Sequence, residues 1–248
     1  MTDPRLFDDA ALFDDDYLWF YDTVITPERT AVEVALIQQL TGATAGTAVL
    51  DLACGHGRIA NPLAAAGCRV TGLDRSERFL QHARAHAAAA GISVEYVIGD
   101  MLDLPAAWTN RFDLLINWFT AFGYFDDATN QRVLAGMRRV IRPGGTLLIE
   151  LNHRDFLLRN FRPQAITERG DSFMLDNVSF DPLTGRTTTH RTMIRDGRTR
   201  RVTFVVRLFT FTEIRDWLNA AGFADVTAVG RDGQPMTLES NRMVLVAR

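Results

Sequence analysis

The stretch Val49-Leu-Asp-Leu-Ala-Cys-Gly-His-Gly-Arg58 decides the fold. An apolar run over 47–52 stops in a turn carrying two glycines, and a helical pattern over 58–66 follows. Gly55 and Gly57 let the backbone approach a ligand with no Cβ in the way. The helix start beyond them offers unpaired N–H groups and a partial positive charge. A negatively charged ligand group sits well at such a place.

The same alternation continues downstream. Strands are predicted over 68–73, 94–98, 112–117 and 146–151, and helices over 76–90 and 130–141. Gly67 and Gly91 end the first two helices, and Arg142-Pro-Gly-Gly145 turns the chain into the fifth strand. This order demands a parallel sheet with helices on both faces. Residues 153–209 change to β-type alternation, with turns at Asp181-Pro-Leu-Thr-Gly185 and Asp196-Gly197. The second is a strong hairpin signal, so an antiparallel insertion is expected. Pairing about Asp196-Gly197 sets His190 opposite Thr203, with Thr192 and Ile194 on the same face as His190. A helix over 210–221, closed by Gly222, and strands over 224–229 and 242–247 complete the chain.

Upstream, residues 1–45 read as helical. They open acidic (Asp8, Asp9, Asp14, Asp15, Asp16) and then gather Phe13, Tyr17, Trp19, Phe20 and Tyr21. Phe13, Tyr17 and Phe20/Tyr21 share one face at helical spacing. Thr26 is placed to cap a second helix, with Pro27 in its first turn.

Composition excludes several chemistries. All 27 basic residues are Arg, so there is no P-loop Lys, no Lys Schiff base and no pyridoxal anchor. The formal net charge of −3 gives no general pull toward nucleic acid. Two cysteines, Cys54 and Cys68, make no disulfide scaffold and fit a reducing compartment. The start of the chain lacks a basic-then-apolar signal pattern, and no apolar run is long enough to span a membrane. A cytoplasmic setting is therefore expected.

Three further features stand with the glycine turn. The second strand ends in Gly72-Leu73-Asp74, an acid 23 residues after Asp51. A carboxylate at that strand end can accept both hydroxyls of a ribose. The third strand ends in Gly99-Asp100-Met101, where a carboxylate can accept an adenine amino hydrogen. Asp51-Leu-Ala-Cys-Gly-His-Gly with these acids resembles the class I S-adenosylmethionine-dependent methyltransferases, closely over 47–152 and more loosely in the last two strands. A dinucleotide dehydrogenase would instead carry Gly-x-Gly-x-x-Gly, with a glycine where Asp51–Ala53 stand. Ala60 supplies that motif's third small residue, so this alternative stays open.

The resemblance implies an α/β, Rossmann-like, doubly wound sheet of seven mostly parallel strands with an antiparallel last strand, plus the antiparallel β insertion. It implies residues 46–248 as the S-adenosylmethionine-binding domain, interrupted by 153–209, with 1–45 as a helical lid. Asp51, Ala53, Gly55 and Gly57 would hold the methionine part of the cofactor. Asp74 would hold the ribose, Arg75 would lie beside the adenine, and Asp100 and Met101 would read the adenine edge. Asn117 would lie beneath the sulfonium. Tyr21 would close over the cofactor, and Arg29 would meet its carboxylate.

For the acceptor, Trp118-Phe-Thr-Ala-Phe-Gly-Tyr124-Phe125 resembles the post-strand loop of small-molecule methyltransferases, including amino-sugar N-methyltransferases. There a residue at the Tyr124 position faces the acceptor. His153, after the fifth strand in Glu150-Leu-Asn-His153, stands where a base would be useful. His82 and His86 are i, i+4, but no third metal ligand is evident and a solvated helix face explains them. Cys54 reads as a small residue that fits the turn, and His56 as either an acceptor contact or a solvent-exposed ring. The insertion holds seven arginines between Arg186 and Arg207 against one acid, Asp196. They read as solubilising an edge strand, building the acceptor pocket or making a homodimer contact, with no nucleic acid expected.

The expected function is methyl transfer to a nitrogen or oxygen of a small molecule, within secondary metabolism. Three alternatives remain: the same fold using S-adenosylmethionine without methyl transfer as a cyclase-type catalyst, a cofactor-sensing module, and an RNA or protein methyltransferase.

Overall fold

The computed structural model describes residues 12–248; Asp8 and Asp9 of the acidic start lie outside them. Helices α1 (Asp15–Tyr21) and α2 (Pro27–Thr41) precede the sheet. Then follow β1 (Ala48–Leu52), α3 (Ala60–Ala65), β2 (Arg69–Asp74), α4 (Glu77–Ala89), β3 (Glu95–Ile98), β4 (Phe112–Asn117), α5 (Asp127–Val140) and β5 (Ile141–Asn152). A short helix α6 (Arg154–Arg159) leads into β6 (Gln164–Arg169), β7 (Ser172–Asp181), β8 (Arg186–Arg195) and β9 (Arg198–Arg207). The chain finishes with α7 (Phe211–Ala220), β10 (Val226–Val229) and β11 (Arg242–Ala247).

The starts of α2, α4, α5 and α7 follow side-chain capping. Thr26 accepts from the Arg29 amide with Pro27 in the first turn, Ser76 accepts from Phe79, and Asp126 accepts from Thr129. Thr210 and Glu213 form a reciprocal capping box at α7.

The large sheet has the order β10-β11-β5-β4-β1-β2-β3. Its ladders are parallel except around β11, which runs antiparallel to both neighbours. Strand pleating divides the core. Leu50 and Leu52 of β1 join Leu134 and Met137 of α5 and Ile214 of α7, while Val49 joins Val34 and Ile37 of α2 and Leu63 of α3. The order reverses between β1 and β4, which opens a crevice at the carboxyl ends of the strands, where ligands bind in sheets of this kind.

The second sheet is the antiparallel run β6-β7-β8-β9. His190 pairs with Thr203, as the hairpin reading requires. Helix α6 departs from the purely β reading of 153–209, because six residues carry too little periodicity to reveal a helix. Strand β5 also begins earlier than predicted, at Ile141, and a register shift on the β4 side accommodates the Pro-Gly-Gly turn.

Helix α1 bridges the two sheets. Phe20, fully buried, packs with Met174, Met193 and Val202 of the second sheet. Phe20 and Tyr21 thus part company, since Tyr21 turns with Tyr17 toward the crevice. Acids on and beside α1 pair with arginines of the insertion: Arg195 with Asp16 at 3.0 Å, Arg169 with Asp22 at 2.9 Å, and Arg200 with Asp14. The acidic start and the arginine-rich insertion, read separately in the sequence, are complementary surfaces of one contact.

Candidate active site

A cavity of about 480 Å³ opens at the carboxyl ends of β1, β2 and β4, roofed by α1 and walled by the second sheet. This volume lies in the range of small-molecule sites. The glycine turn forms its floor. Ala53 and Gly55 hold φ of 61° and 56°, a left-handed path that strains a side-chain-bearing residue. Asp74 fixes that path: its Oδ2 accepts the Gly55 amide at 2.8 Å, and its Oδ1 accepts the Ser76 amide at 2.8 Å.

Three carboxylates line this end of the cavity: Asp51, Asp74 and Asp100. Asp51 is buried at the tip of β1, and its Oδ2 has no hydrogen-bond partner. Burial, reinforced by the nearby Asp74, pushes its carboxyl up to about 7 against the opposing pull of Arg58. Asp100 accepts the Leu102 amide through Oδ1 at 3.0 Å and faces Arg75 through Oδ2 at 3.4 Å.

The turn beyond β4 forms the opposite wall. Phe119 and Thr120 hold φ of 62° and 57°, two consecutive left-handed residues that are not glycine. Glu150, fully buried, holds them there. Its Oε2 accepts the Phe119 amide at 2.8 Å, and its backbone carbonyl accepts the Thr120 amide at 3.1 Å. Arg242 neutralises the Glu150 carboxylate, with Nη2 at 2.6 Å from Oε2, and its Nη2 also donates to Thr120 Oγ1 at 2.5 Å.

Of the residues singled out in the sequence, Tyr21, Asp51, Ala53, Gly55, Asp74, Arg75, Asp100, Met101 and Tyr124 line the cavity. Four others stand elsewhere. Gly57 packs behind the turn, where a Cβ would lie 2.3 Å from the Tyr96 hydroxyl. Asn117 is fully buried and donates to the Leu52 carbonyl at 2.9 Å, bracing β4 against β1. Arg29 donates to Glu33 at 2.7 Å and to the Val24 carbonyl at 3.2 Å and does not line the cavity, whereas Arg58, which shares Glu33 with it, does. His153 is buried, with Nδ1 2.7 Å from the Ser240 carbonyl. A carbonyl only accepts, so Nδ1 carries the proton.

His56 lines the cavity too, and burial, with Arg58 adding to it, lowers its pKa to about 4. Its imidazole is therefore neutral at physiological pH. Burial raises the Tyr124 hydroxyl well above the ordinary tyrosine range, so it stays protonated. Cys54 is likewise raised by burial, which leaves it a thiol. His82 stands 3.7 Å from Asp15, and among the described residues no cluster of His, Cys, Asp and Glu is placed to hold a metal.

Sequence reading missed Glu33, Arg191 and Arg242. Glu33 is a buried hub that accepts from Arg58 at 2.5 Å and from Trp118 Nε1 at 3.1 Å. Only its position on an apolar helix face could have singled it out. Arg191 and Arg242 lay among 27 arginines with no local motif to mark them.

The carboxylate end fits the cofactor implied by the resemblance. Its buried acceptor atoms, including the orphaned Asp51 Oδ2, suit a ligand rich in donors: an ammonium, a ribose diol and an adenine amino group. Comparison with known proteins agrees. The sequence profile of a family described as a methyltransferase domain matches residues 49–145. A ubiquinone biosynthesis O-methyltransferase of Thiobacillus denitrificans is 33% identical over 111 residues, 45% of this chain and 47% of the relative. The match thus spans about half the length of such curated relatives. In fold, the chain is similar to the CcbJ methyltransferase of Streptomyces caelestis, with a TM-score of 0.75 and 24% identity over 90% of each chain. It is similar also to a S-adenosylmethionine-dependent methyltransferase of Clostridium acetobutylicum, with a TM-score of 0.78 and 15% identity over 94% of this chain and 98% of the other. The sugar N-methyltransferase KedS8 of a Streptoalloteichus species covers 100% of this chain and 98% of its own at a TM-score of 0.68 and 20% identity. Residues 49–145 match a methyltransferase domain, and the fold of the chain is that of these solved methyltransferases.

Proposed function

We propose that the protein transfers a methyl group from S-adenosylmethionine to a nitrogen or oxygen of a small molecule, as part of secondary metabolism. The observation that carries this reading is the convergence of Asp51, Asp74 and Asp100 on one cavity beside a left-handed glycine turn. Bound there, the cofactor supplies an electrophilic methyl on a sulfonium. The chain's own residues do the rest by alignment and exclusion of water, which can contribute about 7–11 kcal/mol.

In this reading Asp51, Ala53 and Gly55 hold the methionine end, and Gly57 serves by letting the turn pack against Tyr96. Asp74 takes the ribose, Arg75 flanks the adenine, and Asp100 with the Met101 backbone reads its edge. Arg58, rather than Arg29, reaches the cofactor carboxylate, and Arg29 orients Glu33, which in turn orients Arg58. Asn117 holds β4 against β1 under the methyl-transfer position. Tyr124 faces the acceptor and acts by contact rather than as a base, because its hydroxyl stays protonated. His153 is a positioning residue that anchors Asn152 beside the cavity.

The segment 1–45 acts as a lid over the 46–248 cofactor domain, and the insertion 153–209 shapes the acceptor end. Arg186, Arg191, Arg195, Arg200 and Arg207 of the insertion face carboxylates of the same chain, which supports a small acceptor rather than a polynucleotide. Ile166, Phe173 and Ile194 are exposed on the insertion and would serve a homodimer contact. Among the described residues no helix is long and apolar enough to cross a membrane, and the two free thiols suit a cytoplasmic setting.

Titration calorimetry with S-adenosylhomocysteine and with NAD tests the cofactor assignment. Binding of the first in the micromolar range without the second is expected; uptake of NAD alone would reject it. A product gaining one methylene unit in mass separates methyl transfer from non-transferring uses of the same site.

A further inference from the structure

Beyond the three cofactor-side carboxylates the cavity widens into a chamber between α1, the turn after β4 and the second sheet. Tyr17, Tyr21, Tyr124, Val178, Phe204 and Val206 supply aromatic and apolar walls. Thr187, Thr189 and Arg191 enter from alternate positions of β8, all on its inward face. No acidic side chain among the described residues lines this chamber; Asp51, Asp74 and Asp100 all stand at the glycine-turn end.

The chamber's two arginines are already neutralised from behind. Arg191 Nε and Nη2 each lie 2.7 Å from the two oxygens of Asp176, a bidentate pair. Arg242 is paired with Glu150 in the same way. Neither Asp176 nor Glu150 reaches the cavity surface. The Arg191 guanidinium lies 5.6 Å from the Tyr21 ring centre and 5.2 Å from that of Phe204, and Nη2 also donates to the Tyr21 hydroxyl at 3.2 Å. Five contacts thus fix its plane. Among the described residues Nη1 donates no hydrogen bond, yet it is not sealed in the interior, so its N–H groups remain open to the cavity.

We propose, resting on the methyltransferase reading, that this chamber selects an uncharged, planar acceptor that presents an oxygen to Arg191 Nη1, in preference to an ammonium-bearing or carboxylate-bearing one. The cofactor, when bound against the glycine turn, would bring a sulfonium cation to the chamber's edge. A second cation there would be desolvated with no carboxylate to meet it. An anion would find both arginines spent on internal partners. A neutral ring pays neither cost, stacks on the aromatic walls, and uses the one open donor edge. Thr187, whose hydroxyl donates to the Val206 carbonyl at 3.3 Å, offers its lone pairs to a hydroxyl on the same ligand.

The test uses three probes of one shape and three charges: 4-methylphenol, 4-hydroxybenzylamine and 4-hydroxybenzoate. Each is titrated calorimetrically into the full chain saturated with S-adenosylhomocysteine. The neutral probe is expected to bind at least tenfold tighter than either charged one. Arg191→Leu leaves the Asp176 carboxylate bare and is expected to move the preference to 4-hydroxybenzylamine by tenfold or more. The paired variant Arg191→Gln/Asp176→Asn, neutral on both sides, is expected to keep the preference for 4-methylphenol and guards against a misfolded single variant. A wild-type protein that prefers either charged probe, or binds 4-methylphenol no better than them, overturns the inference. So does loss of the neutral preference in the paired variant. Failure to bind S-adenosylhomocysteine at all rejects the cofactor reading itself, whereas tight binding with the wrong probe order rejects only the acceptor class.

Discussion

Asp74 at the tip of β2 accepts the Gly55 amide at 2.8 Å and so locks the glycine turn of the neighbouring strand into its left-handed path. One carboxylate therefore shapes the turn and faces the cavity at the same time. A hydrogen bond to a charged group is worth about 1.5–3 kcal/mol. Asp74→Ala is expected to weaken S-adenosylhomocysteine binding by one to two decades in titration calorimetry. An unchanged dissociation constant would remove Asp74 from the site.

Asp51 has the opposite energetics. Its carboxyl titrates near 7 in the folded chain, against an ordinary value of 3.8. Between about pH 4 and 7 the native state keeps a proton that the unfolded state has released. This group therefore subtracts stability as pH rises through that window, and does so in full above it. Asp51→Asn is expected to raise Tm at pH 8 by on the order of 5 °C, with a smaller gain at pH 5.5. The same variant is expected to lose at least tenfold in S-adenosylhomocysteine affinity. Equal Tm shifts at the two pH values would contradict the ionisation argument.

Gly57 makes its contribution by absence of a side chain. A Cβ there would lie 2.3 Å from the Tyr96 hydroxyl and 3.0 Å from the Ala83 Cβ, on a φ of +79°. Gly57→Ala is expected to cost about 1–3 kcal/mol in chemical denaturation. Tyr96→Phe removes the clashing oxygen, so the double variant should recover part of that loss while keeping the strain of the positive φ. Strict additivity of the two changes would show that the hydroxyl is not the obstacle.

Helix α1 is held against the second sheet by charge as well as by Phe20. Arg195 and Arg200 reach Asp16 and Asp14 across partly exposed contacts, where a pair is worth about 0.2–1 kcal/mol and salt weakens it. Arg195→Gln/Arg200→Gln is expected to speed proteolytic cleavage near residues 22–26 several-fold, and 0.5 M KCl should do the same to the unmodified protein. A cleavage rate indifferent to both would leave the docking of α1 to apolar packing alone.

Tyr21 gives a finer test of what α1 contributes to the cavity. Its ring stacks on Tyr17 at 4.3 Å, and its hydroxyl accepts from Arg191 at 3.2 Å. Tyr21→Phe should lower methyl transfer only about two- to tenfold, since one hydrogen bond is worth about 0.5–1.5 kcal/mol. Tyr21→Ala, which removes the stack as well, should cost at least ten times more. Equal effects of the two variants would place the whole contribution on the hydroxyl.

The sheet was legible because its determinants are local. Alternating apolar strands, helix-ending glycines and capping residues are read within a dozen neighbours, and the glycine turn with Asp74 and Asp100 recurs at fixed strand ends. The sequence by itself therefore determined the parallel α/β order, the antiparallel insertion down to the pairing of His190 with Thr203, and the residues at the carboxyl end of the cavity. Other features were decided only by the tertiary structure. Arg58 replaced Arg29 at the cavity because Glu33, buried beneath both, engages Arg29 from one turn away. His153 turned inward to the Ser240 carbonyl, 87 residues later in the chain. The acidic start and the arginines of the insertion, some 180 residues apart, became one interface. Charge pairing between distant segments leaves no periodic trace in a sequence, because its partners are chosen by where the folded backbone brings them rather than by spacing along the chain.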